Sequence, residues 1–256
     1  MMMSQSALFL LFDAYSRRAR LRPLLIATLP VALLLGAGLP ALPRSSWLWS
    51  LILCSGLPFC ADQLGRSRGK RLEEALFASW GGKPTVQLLR WRGPADRSQL
   101  TYFHEAVQRI TGPALRLPTE AEERRDPQAA DRLYDAAGLV LRSRARGLPG
   151  CALVMEQNRE YGFRRNALGL RPYGLATAIA GLMAALAWLF VPVGFLGRPE
   201  TAVVVAVTVV HVGLVAFWSL VVRARWVESA AWLYAERLLE TSALPDQSAS
   251  PATPAN

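Results

Sequence analysis

Four runs of apolar residues divide the chain, at 24–43, 47–61, 173–197 and 202–222, while the stretches between them alternate apolar and charged positions. Each run comes near the about 20 residues that a helix needs to cross the hydrocarbon core of a bilayer. The second is the shortest, contains Gly56 and Pro58 and stops at Asp62, which suits a tilted or re-entrant helix as well as a full span. The turn ALPRSS pairs the first two runs as a hairpin, and the last two form another. The expected fold class is all-α: an integral membrane protein with two transmembrane helical hairpins and an inserted helical cytoplasmic domain. Its predicted parts are a cytoplasmic N-terminal segment (1–23), a first hairpin (24–61), the helical domain (62–172), a second hairpin (173–222), a cytoplasmic amphipathic helix (223–243) and a disordered tail (244–256).

Helical periodicity carries the central domain. Leu72, Leu76 and Trp80 recur at spacing four, and Gly81-Gly82 can end that helix in a left-handed turn. Leu100, Phe103, Val107 and Ile110 form one face of a second helix closing at Gly112. A third opens with Asp126 as N-cap and Pro127 at its first position, then places Ala130, Leu133, Tyr134, Ala137, Val140 and Leu141 on one stripe. Between them TEAEERRD fits a capping box from Thr119 to Glu122. VQLLRW and CALVMEQ are short enough to be strands or helices. After the last apolar run, Val227, Ala230, Ala231, Tyr234 and Leu238 share a helical face that should pack on the central domain or lie on a membrane surface. In the third apolar run Ala176, Ala180 and Ala184 offer a small-residue face for the fourth.

Charge then orients the spans. The chain is 52% hydrophobic yet holds 29 Lys and Arg against 19 Asp and Glu, and only Lys70 and Lys83 are lysines. Four arginines precede the first run, each hairpin turn carries one, and the segment 62–172 carries twenty basic and thirteen acidic residues. The positive-inside rule therefore puts both termini and the central domain in the cytoplasm. A cleaved signal peptide over 1–41 is the weaker fit, because the apolar run is too long and the Arg cluster starts late. Attraction to the anionic inner leaflet accounts for the basic charge, and with no reader motif nucleic acid is not an expected partner.

The densest chemistry lies in EQNREYGFRRN. Glu156, Asn158, Tyr161, Arg164, Arg165 and Asn166 interleave donors and acceptors just before the third apolar run, with Glu160 one turn from Arg164. Two readings stay open: a basic, aromatic anchor at the membrane interface, or a ligand or partner site for an anionic group. His211, with Thr208 three residues before it, places an ionisable group inside the fourth run, either for an interhelical hydrogen bond or for a polar pore. His104 beside Glu105 lacks a nucleophile partner. GGKPT departs from a phosphate loop, since Pro84 follows Lys83 and a helix precedes. Cys54, Cys60 and Cys151 have no metal-ligand spacing, and no metal or cofactor is implied.

The runs FASWGGKPTVQLLRW, DPQAADRLYDAA and EQNREYGFRRNALGLRP resemble a family of bacterial membrane proteins with two pairs of spans around a cytoplasmic domain, over residues 62–240. The resemblance attaches no biochemical activity. It implies that Trp80, Gly81, Gly82, Pro84, Thr85, Arg90, Asn158, Tyr161, Gly162, Phe163, Arg164, Arg165 and Asn166 are the positions that matter. The expected function is interaction rather than enzymatic turnover: a cytoplasmic domain that docks or senses a protein partner. The alternatives are an oligomeric pore-forming effector built from copies of this chain, and a membrane enzyme acting on a phosphate-containing substrate.

Overall fold

The computed structural model describes Ala19 and residues 22–38, 57–147, 150–190 and 200–244, and every regular element among them is helical. In chain order these are α1 (Arg22–Gly38), α2 (Leu57–Ser79), α3 (Pro84–Leu89), α4 (Arg97–Thr111), α5 (Glu120–Arg125), α6 (Pro127–Gly147), α7 (Ala152–Phe190), α8 (Thr201–Ala216) with a π-helical end (Phe217–Val221), and α9 (Ala224–Glu240). Two of them, α7 and α8 with its π-helical end, are long and apolar enough to cross a membrane. α1 is a shorter apolar helix. Most of the second apolar run, the hairpin turns, the N-terminal arm and the tail 245–256 lie outside the described residues.

Local signals stop and start these helices as their chemistry requires. α2 ends at Gly81 and Gly82, with φ of 81° and 131°, and α4 ends at Gly112 with φ of 64°, conformations in which a Cβ is strained. The Asp126 carboxylate accepts from the Ala129 N–H at 2.9 Å to open α6, and Thr119 and Glu122 cap α5 reciprocally. VQLLRW and CALVMEQ, ambiguous in sequence, are both helical: the first supplies most of α3, started by Pro84, and the second opens α7.

The chain divides into two compact units, Met1–Ala75 with Arg159–Val227, and Leu76–Asn158 with Glu228–Asn256. The boundaries fall inside α2, α7 and α9, not at the apolar edges near 62 and 172. The reason in the first unit is a close crossing in the polar part of the chain. A Cβ on Gly169 would lie 2.8 Å from the Gly69 nitrogen, and one on Gly69 would lie 2.6 Å from Asn166 Oδ1, so only glycine admits this approach.

The apolar part of the first unit packs rings into small residues. Trp218, fully buried, lies over Gly174, and the buried His211 ring lies over Gly181. Gly174, Ala178, Gly181 and Ala185 are therefore the buried face of α7. This corrects the expected face: Ala176 and Ala180 are exposed. Glycine is chosen where a whole ring must approach the backbone, and alanine leaves too little room for that. Thr177 also donates to the Ala27 carbonyl of α1 at 2.8 Å.

The second unit has its own core, in which Val86 and Leu89 of α3, Phe103 and Val107 of α4, Tyr134, Ala137 and Leu141 of α6, Val154 of α7 and Leu238 and Leu239 of α9 are packed together. The predicted faces of α4 and α6 are thus largely inward, except that Val140 is exposed at the margin of its stripe.

Gly174→Ala should lower stability by about 1–3 kcal/mol, because its Cβ would fall 2.2 Å from a ring atom of an immobile Trp218. Gly213→Ala, with nothing within 4 Å of the new Cβ, should leave stability unchanged or raise it by up to about 1 kcal/mol. Thermal unfolding of the two full-length variants, followed by helical ellipticity, separates them.

Candidate functional site

The residues of EQNREYGFRRN all lie on α7, which runs unbroken through the segment, but they do not form one cluster. The division between the two units falls between Asn158 and Arg159. Glu156 is exposed and Asn158 half-buried, both in the second unit. Tyr161, Arg164, Arg165 and Asn166 belong to the first, where helical spacing spreads them around α7.

Three of these four are absorbed by the crossing with α2 and its surroundings. The buried Glu73 carboxylate of α2 accepts from the Tyr161 hydroxyl at 3.0 Å and from Arg165 Nη1 at 3.1 Å, and pairs with Lys70. The Arg165 guanidinium also lies over the Tyr161 ring, 5.6 Å from its centroid. Burial by itself would raise the Glu73 carboxyl, but the hydrogen bond from Lys70 and the Arg165 charge outweigh it and hold the group below its ordinary value. Glu73 is thus an ionised, buried hub. Asn166 donates through Nδ2 to the Ala19 carbonyl at 2.9 Å.

Arg164 works on the opposite side. Its Nε donates to Glu160 at 2.7 Å, the expected one-turn pair, and Nη1 donates to the Trp226 carbonyl at 3.0 Å while the guanidinium sits over the Trp226 ring. Phe163 and Phe217 meet the same indole edge-on. Arg164 and Arg165 therefore tie α7 to different neighbours, and no common anion pocket holds them.

The WGGKPT turn is likewise knitted from within the second unit. Arg90 forms a two-pronged pair with Asp131, with contacts of 2.8 and 2.7 Å, and donates to the Gly81 carbonyl at 2.8 Å. A Cβ on Gly82 would meet Arg90 at 2.7 Å. Gln87 donates to the Trp80 and Gly82 carbonyls, and Lys83 pairs with Asp135 at 2.6 Å. The turn is a helix stop clamped by an arginine, with no phosphate cradle.

Beside it lies a residue the sequence reading passed over. Glu123, 2% exposed, accepts from the backbone N–H groups of Trp91 and Arg92 at 2.8 and 3.1 Å, from Arg92 Nη1 at 2.7 Å and from the Tyr134 hydroxyl at 2.6 Å. Burial would raise this carboxyl, but the Tyr134 hydroxyl, the two N–H groups and Arg92 together lower it. The sequence carries only a weak signal for it, an acidic residue in a short helix made mostly of charged residues. His104 contacts the Leu89 carbonyl through Nε2 at 2.7 Å, and burial followed by the Leu89 bond sets its pKa, the net shift being downward.

His211 is fully buried, with Nδ1 2.7 Å from the Val207 carbonyl and Nε2 3.3 Å from the Pro30 carbonyl of α1. Thr208 donates to the Val204 carbonyl of its own helix at 2.8 Å. Both polar groups are thus engaged by backbone carbonyls. Among the described residues no three His, Cys, Asp or Glu side chains gather as a metal site.

Glu123→Gln should destabilise the second unit by about 3 kcal/mol, since it strips the charge that four donors surround. The folded pKa of Glu123 lies below the ordinary 4.5, so its contribution is complete above pH 4.5 and fades as pH falls through the folded value. Acid unfolding of wild type should therefore steepen below pH 4.5, and that loss should be smaller in Glu123→Gln.

No protein-family model, curated protein or solved structure matches the chain, so what it does has to be read from these contacts alone.

Proposed function

We propose that this chain is a multi-pass protein of the bacterial inner membrane, with four spans and both termini inside, whose cytoplasmic helical domain docks or senses a partner. The observation that carries the reading is α7. Its 39 residues make a rod of about 58 Å, roughly twice the thickness of a bilayer core. The first half of that rod is charged and belongs to polar hydrogen-bonded clusters. From Pro172 onward it has no charged residue. Within α7 a charged length is thus continuous with an apolar length long enough to cross a bilayer core.

Exposure supports the lipid environment. Only 28% of the apolar window in each of α7 and α8 is buried, whereas the core helix of a soluble protein hides most of such a window. Ile179, Met183, Val205, Val209 and Val212 all face outward. The Arg-rich flanks agree with a cytoplasmic position for the polar unit. The pore reading would draw on Thr208 and His211 and the enzyme reading on Glu156, Asn158, Arg164 and Arg165. The former bond backbone carbonyls, while Arg164 and Arg165 hold helices together, so neither alternative gains from the geometry.

The test has two arms: alkaline extraction of membranes to read insertion, and purification of the full chain from unwashed membranes in mild detergent with mass spectrometry of co-purifying proteins. Wild type should stay in the membrane through the wash and bring down a protein partner near one-to-one. That partner should be lost from an equally abundant Arg164→Ala, Arg165→Ala variant, and weakened by Tyr161→Phe, which keeps the ring and removes its bond to Glu73. Release by the wash overturns the membrane reading; isolation alone or as a self-oligomer overturns the docking reading.

A further inference from the structure

A concavity of about 630 Å³ opens in the first unit between α2 and α7, lined by Arg68, Arg71, Leu72, Leu168, Arg171 and Leu175 among others. Its chemistry is split. Three guanidinium groups and no carboxylate line it, and the rest of the wall is aliphatic. Among the described residues no carboxylate pairs with Arg68 or Arg71, whereas Arg164 and Arg165 of the same unit are paired with Glu160 and Glu73. Arg68 is stacked on the Tyr173 ring, 4.7 Å from its centroid, and Arg171 is held by its Nε to the Trp218 carbonyl at 3.0 Å. Two of the three cations are thus already positioned before any ligand arrives.

The apolar side of the groove does not stop at its rim. Leu168, Pro172, Leu175, Ile179 and Met183 follow one another at helical spacing along a single stripe of α7, and Ile179 and Met183 are exposed. Arg171 is the last charged residue before a run without charge that extends to Gly197. A cationic pocket therefore sits where the helix turns from polar to apolar, with an aliphatic track leading away from it along the apolar half.

We propose that this groove is a specific site for an anionic phospholipid, its phosphate held by Arg68, Arg71 and Arg171 and one acyl chain lying along the Leu175–Ile179–Met183 stripe. A guanidinium offers paired N–H donors that match phosphate oxygens, and basic pockets between helices at the cytoplasmic face of a bilayer suit anionic headgroups. A free phosphate would use the same arginines but leave the aliphatic track empty, which favours the lipid. The inference builds on the membrane reading above.

The experiment is native mass spectrometry of the detergent-purified full chain titrated with phosphatidylglycerol, with phosphatidylcholine as the zwitterionic control and inorganic phosphate as competitor. Wild type should retain one phosphatidylglycerol in preference to phosphatidylcholine, and millimolar inorganic phosphate should not displace it. Arg68→Gln with Arg71→Gln should weaken retention about 30-fold, the combined effect of two surface guanidinium groups. Leu72→Asp, an exposed position in the wall, should weaken it too by placing a carboxylate in the groove. Equal retention of both lipids, or retention unaffected by either substitution, overturns the proposal. Displacement by inorganic phosphate reassigns the arginines to a soluble ligand and overturns the lipid assignment. A chain that survives the alkaline wash but fails these arms loses the groove only; one released by the wash loses the membrane reading itself.

Discussion

A carboxylate taken out of water has to be surrounded by donors, and among the described residues two are buried, Glu73 and Glu123. Glu123 receives two backbone N–H groups, a guanidinium and a phenol, and Glu73 receives a phenol, a guanidinium and an ammonium. Each carboxylate fixes the separation and rotation of the elements that supply its donors. Around Glu123 these are the loop after α3 and the face of α6; around Glu73 they are the polar lengths of α2 and α7. Conversion of either to a neutral or unpaired group removes more than one contact at once, so the helices of each unit hold a defined geometry instead of sliding as apolar surfaces would.

The apolar half of α7 is held by a different device. With large rings on one helix and glycines on the other, Trp218 and His211 fit against the backbone of α7 at Gly174 and Gly181. Such packing depends on shape, since close backbone approach and dispersion set how tightly the helices associate. His211 adds polarity to the same seam, its Nε2 lying 3.3 Å from the Pro30 carbonyl of α1, the interhelical contact of this ring.

The Glu73 cluster and the ring-on-glycine packing share α7, and the polar residues concentrated on it are divided among several jobs. Tyr161 and Arg165 satisfy Glu73, Arg164 grips Trp226, Asn166 reaches Ala19 and Arg171 reaches Trp218. The crowding of charge before the apolar run is thus explained by the number of neighbours the helix must hold. Arg171 also lines the cationic groove with Arg68 and Arg71 of α2, neither of which pairs with a carboxylate among the described residues.

Local information in the chain was sufficient for the caps, stops and inward faces of the central helices, but not for VQLLRW and CALVMEQ, whose helical state only the fold shows. The 3.6-residue recurrence of Leu100, Phe103 and Val107, the capping box at Thr119 and Glu122, the Asp126-Pro127 start and the Gly81-Gly82 and Gly112 stops act over a few residues, so the sequence alone determined them, along with the apolar runs that became α1, α7 and α8. Tertiary structure decided the rest. Small residues occur on more than one face of α7, and only the rings of Trp218 and His211 select Gly174 and Gly181 over Ala176 and Ala180. Two of the three partners of Glu73 stand 88 and 92 residues away, and those of Glu123 include a loop more than thirty residues earlier. No periodicity encodes such distances, because which buried carboxylate meets which donor is settled when helices dock and each desolvated charge must find its partner.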